Sequence, residues 1–152
     1  MSYDISWHRR KETIYNPDIN DYEVSPYYDD NYNIEEAKEL HSGLCGYLET
    51  YRKPFEVEST GLNITSNLYK MFSWAINGSP ELDWKKTIHS TKGSNVESYL
   101  RKAVKKMEEN EKEARKYDSP NGWGTYPHAL RFLKDLLAES IVYKDFYLSI
   151  NY

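Results

Sequence analysis

The residues best suited to chemistry lie between Ser119 and Pro127, where two glycines flank Trp123. Thr125 occupies the N-cap position of a predicted helix, and Pro127 falls in its first turn, where a missing N–H breaks no helical hydrogen bond. A turn of this kind leaves backbone N–H groups beside an indole, so it can bind an anion and stack on a base. The segment therefore predicts an anion or nucleotide site. The alternative is that Trp123 is buried as a plug between two helices.

Polar side chains elsewhere in the chain complete this predicted site. Arg131 lies one turn into the same helix, where its guanidinium can bind a phosphate in a bidentate manner. Asn63, Thr65 and Asn67 surround a predicted strand-to-helix junction, a usual place for ligand contacts. The alternative is that Thr65 and Asn67 only cap the following helix. Arg131 would then pair with Asp135, four residues further on. The predicted ligand-binding residues are Asn63, Thr65, Asn67, Asn121, Gly122, Trp123, Gly124, Thr125, Tyr126 and Arg131.

Motifs for other chemistries are missing from the sequence. The four histidines share no metal-ligand spacing. Only His128, close to residues 119–125 (the tryptophan turn), is a candidate acid–base group. Cys45 is the single cysteine, which excludes an internal disulfide and a cysteine-based zinc site. There is no nucleophile elbow, P-loop or dinucleotide-binding fingerprint. We therefore expect a binding protein rather than an enzyme, with no catalytic residues, no metal and no cofactor.

Charge is distributed unevenly along the 152 residues. Residues 1–33 contain three basic and seven acidic side chains, so this segment accounts for the whole net charge of −4. A neutral body with an acidic N-terminal segment is a poor ligand for duplex DNA, because phosphate affinity comes from clustered Lys and Arg. No apolar run has transmembrane length, and the N-terminus lacks a signal peptide, so we expect no membrane partner and a cytoplasmic location.

Residues 12–33 form a distinctive acidic, tyrosine-rich segment interrupted by Pro17 and Pro26. A polar stretch of this length predicts a surface loop or arm, and long loops in compact domains are often functional. Aromatic anchors within an acidic rim suit a protein interface. The arm therefore supports an alternative function, a protein–protein inhibitor that binds a basic surface of another protein through Tyr22, Tyr27, Tyr28 and Tyr32.

Hydrophobic periodicity predicts one α+β domain over residues 1–152, a small and mostly antiparallel sheet with about four helices packed on one face. Ser94 and Glu97 are expected to form a capping box at the start of the longest helix. The apolar C-terminal strand is expected to pair within the sheet, and it offers an edge for a homodimer. The predicted helices span about 33–51, 68–76, 95–117 and 126–140, and the predicted strands about 2–7, 55–57, 62–64 and 146–152, the middle two being alternatively one strand.

Three segments together resemble a family of small uncharacterised proteins of tailed bacteriophages and prophages. They are Met1-Ser2-Tyr3-Asp4-Ile5, Leu62-Asn63-Ile64-Thr65 followed by Asn67, and Asn121-Gly122-Trp123-Gly124-Thr125-Tyr126 ahead of an amphipathic helix. The resemblance covers chiefly residues 1–5 and 60–140. This chain has Ser59-Thr60-Gly61 where the family often carries a Gly-Gly-Thr turn, so no site built on that turn is carried over. The resemblance implies a phage origin and an accessory role in the host cytoplasm.

These observations lead to one functional prediction. We expect a phage accessory protein that binds a small anionic ligand, a nucleotide-type host immune signal, and sequesters it without catalysis. The tryptophan turn, the 15 tyrosines and the lack of a catalytic motif motivate this prediction.

Overall fold

The computed structural model describes residues 1–18, 32–41 and 57–151, with the backbone alone for 57–60. Its three strands are β1 (Ser2–His8), β2 (Val57–Thr65) and β3 (Tyr147–Asn151). Two short 3-10 turns, Ser66–Leu68 and Arg115–Tyr117, precede and follow helical segments. The helices are α1 (Glu12–Tyr15), α2 (Ile34–Leu40), α3 (Tyr69–Asn77), α4 (Trp84–Ile88), α5 (Gly93–Glu109), α6 (Glu111–Ala114) and α7 (Tyr126–Val142).

The strands form one antiparallel sheet in the order β2-β1-β3, which confirms the predicted α+β class. Tyr3 pairs with Ile64 on one side, and Trp7 pairs with Leu148 on the other. The register of β2 shifts between Asp4 and Ser6 of β1, and Gly61 lies in this bulge with φ +75°. Residues 57–65 are therefore one bulged strand, which was one of the two alternatives.

One face of the sheet carries the core, because alternate residues of β1 point towards the helices. Tyr3 packs edge-on against Trp84 at 5.5 Å between ring centroids, and Trp7 stacks on Tyr143 at 5.8 Å. Of the seven helices in the described ranges, four have seven or more residues. The other three are single turns of four or five residues, which accounts for the difference from the expected number.

Both ends of α5 differ from the prediction. The capping box at Ser94 is wrong, because α5 begins at Gly93 and has no side-chain cap. The chain after α7 sets this start instead, since Phe146 O accepts from Gly93 N at 2.8 Å and Lys144 O from Ser94 N at 3.0 Å. The predicted helix 95–117 is interrupted at Asn110, whose backbone leaves the helical region at φ −129° and ψ 44°.

Asn33 caps α2 as predicted, accepting a hydrogen bond from Glu36 N at 3.1 Å. The predicted helix 33–51 is wrong beyond Leu40, because the backbone of His41 leaves the helical region at φ −139° and ψ 74°. Residues 42–51 lie outside the described ranges, as do the tyrosines at 22, 27 and 28. At the start of the predicted arm, Glu12–Tyr15 is a short helix rather than loop. Within the described ranges no helix is both long and apolar enough to cross a membrane.

The outer edge of β3 is covered by the segment 90–94 of the same chain. Leu148 exchanges backbone hydrogen bonds with both Ser90 and Thr91, at 2.7 and 3.0 Å, and Lys92 forms a bridge to Tyr147. These groups are therefore not available for strand pairing across a two-fold axis. A homodimer stays a prediction, but it would need a different surface.

A candidate ligand-binding cavity

A cavity of about 330 Å³ lies between the end of β2, the tryptophan turn and α7. Four consecutive residues of β2 line it. Because successive side chains of a strand point to opposite faces, a cavity lined this way borders the strand's edge. Six of the ten predicted residues are among its lining. The lining residues are Leu62, Asn63, Ile64, Thr65, Gly122, Trp123, Gly124, His128, Arg131, Phe132 and Asp135.

The tryptophan turn is held by its own backbone and by one asparagine. Ser119 N donates to Gly124 O at 2.9 Å, and Asn121 Oδ1 accepts from Trp123 N, also at 2.9 Å. The indole of Trp123 is 72% exposed. The alternative that Trp123 is a buried plug is therefore wrong, and the indole stands at the rim of the cavity.

The tryptophan turn packs closely against the end of β2 and the 3-10 turn that follows it. Asn67 Nδ2 donates to Trp123 O at 3.0 Å. A Cβ added to Gly124, which has φ +115°, would lie 3.0 Å from Leu68 Cγ and 3.1 Å from Thr65 Cγ2. Only glycine allows both this conformation and this approach. Asn67 therefore holds the tryptophan turn in place and does not line the cavity. Thr65 also caps the 3-10 turn, with its Oγ1 accepting from Asn67 N at 3.3 Å.

The start of α7 differs from the predicted anion site. Thr125 occupies the N-cap position with Pro127 in the first turn, as expected, but its side chain contacts His128 Nδ1 at 3.2 Å instead of capping. Tyr126 N donates to Asp118 Oδ1 at 2.7 Å. The prediction of free backbone donors is therefore wrong at Tyr126, because a carboxylate already occupies the positive end of the helix. Gly122 N and Trp123 N are likewise bonded within the turn.

Tyr126 itself points away from the cavity. Its side chain is buried, and its hydroxyl donates to Met107 O at 3.0 Å while Arg115 lies over its ring. Burial raises the pKa of this hydroxyl. Tyr126 therefore anchors α7 to α5 and belongs to the core, and Thr125 and Asn121 shape the turn without lining the cavity.

A cluster of three titratable residues forms one wall. Arg131 Nε lies 3.3 Å from Asp135 Oδ1, which confirms the alternative of an i,i+4 pair. His41, the residue after α2, places Nδ1 3.6 Å from the same oxygen. Burial raises the pKa of Asp135 to about 6, an effect that Arg131 opposes, whereas burial and then Arg131 lower the pKa of His41 to about 4. At pH 7 the carboxyl is thus mainly ionised beside a neutral imidazole.

Sequence reasoning did not place Leu62, Ile64, Phe132, Asp135 or His41 at the site. Asp135 carried a usable signal, since it is an acidic residue inside the apolar stretch Phe132 to Leu137 of an amphipathic helix. His41 carried none, because its contact with α7 depends on how α2 packs. In the described part of the chain, no group of three or more His, Cys, Asp or Glu residues is arranged to hold a metal ion.

Comparison with protein-family models, with curated proteins and with solved structures finds no match to this chain. The resemblance to phage proteins therefore stays a prediction.

Proposed function

We propose that the cavity binds a nucleotide-type anion and holds it without turnover. The observation that carries this proposal is the exposed indole of Trp123 at the rim of a cavity that also contains an arginine. Tryptophan is a sequence-tolerant stacking platform for bases, and each stacked base contributes about 1–3 kcal/mol. The backbone N–H and C=O of Trp123 are both hydrogen-bonded, so the turn that carries the indole is pre-organised.

The size and walls of the cavity favour a small ligand. Its volume of about 330 Å³ is near the lower end of the range for ligand pockets, which suits one base or nucleoside. Leu62, Ile64 and Phe132 supply apolar surface for the faces of a flat ring. A mononucleotide would place its base here and leave its phosphate at the opening.

Side chains must bind that phosphate, since the backbone donors at the helix start are occupied. Arg131 is the cation of the cavity wall, and its side chain is 54% exposed. Among described residues its polar contact is made by Nε with Asp135, so both Nη nitrogens are left to form a bidentate contact with an anion. His128, exposed beside the same opening, adds a second donor.

We further propose that the protein sequesters a nucleotide-type immune signal in the cytoplasm of a phage-infected host. This part of the proposal depends on the resemblance to phage proteins and on the aromatic and cationic side chains at the cavity. The alternative, an inhibitor acting through residues 12–33, depends mostly on positions outside the described ranges.

The direct test is isothermal titration of the purified protein with mononucleotides and cyclic mononucleotides, followed by mass spectrometry of the released ligand. We expect a bound, chemically unchanged nucleotide. Trp123→Ala should weaken binding about tenfold or more, given the magnitude of base–aromatic stacking. Arg131→Gln should weaken binding and reduce its dependence on salt.

Arg115→Gln is the matched control, because Arg115, in the 3-10 turn after α6, is also an exposed arginine paired at i,i+4, with Glu111 at 2.8 Å. The Arg115→Gln variant should bind the nucleotide with the same affinity as the unchanged protein. Failure of every nucleotide to bind, or equal binding by the Trp123→Ala variant, would contradict the proposal. Recovery of an altered ligand would identify an enzyme instead.

A further inference from the structure

Asp135 is a nearly buried carboxyl group in the wall of the cavity. The residue is 8% exposed, and its enclosed Oδ1 makes no hydrogen bond with another residue of the described ranges. Its neighbours, Arg131 Nε at 3.3 Å and His41 Nδ1 at 3.6 Å, orient it by charge and contact. Because Oδ1 is enclosed, a ligand in the cavity would contact the carboxyl group through Oδ2. A nearly buried carboxylate with few hydrogen bonds is costly, so a hydrogen-bond donor on the ligand would stabilise it.

The chemistry of the group restricts what the ligand presents. An ionised carboxylate only accepts hydrogen bonds, so the edge of the ligand that meets it must carry N–H or O–H groups. The remaining wall is largely apolar and takes the faces of the ring.

We propose that Asp135 is the specificity-determining residue of the cavity and selects a guanine-type base. This inference depends on the proposed function. Guanine carries two adjacent donors on one edge, the ring N1–H and the exocyclic amine, and both can donate to Oδ2 of the carboxylate. Adenine and cytosine place an acceptor ring nitrogen beside their amine, which the carboxylate repels. Uracil has one N–H between two carbonyl oxygens, which the carboxylate also repels.

Arg131 and His41 are positioning residues in this arrangement. Their contacts converge on Oδ1, which leaves Oδ2 as the acceptor for the base. Arg131 therefore contributes twice, by orienting the carboxylate through Nε and by binding the anionic end of the ligand through its Nη nitrogens.

The test compares the affinities of GMP, IMP, AMP and CMP for the unchanged full-length chain. Hydrogen-bonded base recognition typically discriminates by about 1–3 kcal/mol, so GMP should bind at least about tenfold more tightly than AMP or CMP. IMP, which lacks only the exocyclic amine, should bind with intermediate affinity. These four measurements require no variant and are not affected by misfolding.

Asp135→Asn then provides a reversal of preference. The amide donates as well as accepts, so the variant should lose the preference for GMP and gain affinity for XMP, which has a carbonyl oxygen in place of the amine. Asp118→Asn makes the same chemical change at a residue that does not line the cavity, and it should keep the order found with the unchanged chain.

Two results would overturn the inference while leaving the proposed function intact. One is binding of all four nucleotides within about threefold, and the other is an Asp135→Asn variant that keeps its preference for GMP. Failure of all four to bind would overturn the inference, and failure of the cyclic mononucleotides as well would overturn the proposed function.

Discussion

Two acidic residues one turn apart on α7 have opposite surroundings. Glu139 is fully buried, and its Oε1 accepts from Trp7 Nε1 of the central strand at 3.0 Å. Asp135 lies in the cavity wall, where His41 and Arg131 are near its enclosed Oδ1 but no described residue forms a hydrogen bond with that oxygen. The carboxyl group of Glu139 thus helps to join the helix to the sheet. The carboxyl group of Asp135 instead forms part of the wall of the cavity.

This contrast divides α7 into two functional parts. Its C-terminal half, with the chain that follows, is packed against β1 and the start of α5, so substitutions there should reduce stability. In its N-terminal half, the face that carries Arg131 and Asp135 meets β2 and the tryptophan turn across the cavity, so substitutions on that face should change binding and pH dependence more than stability. The following predictions test this division, beginning with the largest effect.

Gly93→Ala should cause the largest loss of stability, about 3 kcal/mol or more, because overpacking a rigid contact is costly. The added Cβ would lie 2.2 Å from Tyr143 O and 2.8 Å from Lys144 Cα, both backbone atoms at the packed end of α7. Chemical denaturation measures the loss. Gly122→Ala is the control at the cavity end, where a Cβ meets nothing within 4 Å and φ +75° costs about 1 kcal/mol. Equal losses for the two variants would contradict the division.

Glu139→Ala should lower the free energy of unfolding by about 2–3 kcal/mol. The substitution leaves Trp7 Nε1 without this acceptor in the core and removes packed volume. Glu139→Gln keeps an acceptor oxygen of the same shape and should lose less. Urea titration followed by circular dichroism distinguishes the two, and an Ala variant as stable as the Gln variant would show that the hydrogen bond to Trp7 contributes little.

The pH dependence of stability should change when Asp135 is replaced by Asn. Between about pH 4 and 6, the unfolded chain holds a proton on His41, whose ordinary pKa is 6.5, while the folded chain holds it on Asp135. The two contributions oppose each other, so this pair gives the unchanged protein little pH dependence. In the Asn variant only the depressed pKa of His41 remains, and stability should fall by about 1–2 kcal/mol from pH 7 to pH 5.

His41→Asn is the reciprocal variant and should give the opposite sign. Only the raised pKa of Asp135 then remains, so this group adds stability at acidic pH that is lost as pH rises through about 6. Denaturation curves at pH 5 and pH 7 measure both slopes. If stability changed with pH in the same direction in both variants, the opposite contributions of His41 and Asp135 would be contradicted.

Trp123→Ala should have the smallest effect on stability, within about 0.5 kcal/mol, because its side chain is 72% exposed. Tyr99→Ala, at an exposed position on α5, is the control for the loss of stability expected from removing an exposed aromatic side chain. The melting temperatures of the two variants should be alike, whereas nucleotide binding should be weaker in the Trp123 variant alone. A large loss of stability would place the indole in the packing of the fold.

Local patterns predicted much of the fold. The alternation of Tyr3, Ile5 and Trp7 indicated which face of β1 is buried, and helical periodicity identified α3, α7 and the start of α5 within two residues. Asn33 as a cap and the pair of Arg131 with Asp135 also followed from spacing. Each of these features depends on neighbours within a turn or along a strand, so the interaction is visible in the sequence itself.

The sequence alone thus determined the α+β class, the main elements and six of the residues that line the cavity. Only the tertiary structure decided that Trp123 is exposed, that Asp118 occupies the start of α7, and that His41 lies beside Asp135. Residue spacing fixes periodicity and local hydrogen bonds, but it does not specify which distant segments meet. Those contacts form when the elements pack together, and they determine which donors, charges and aromatic faces are left for a ligand.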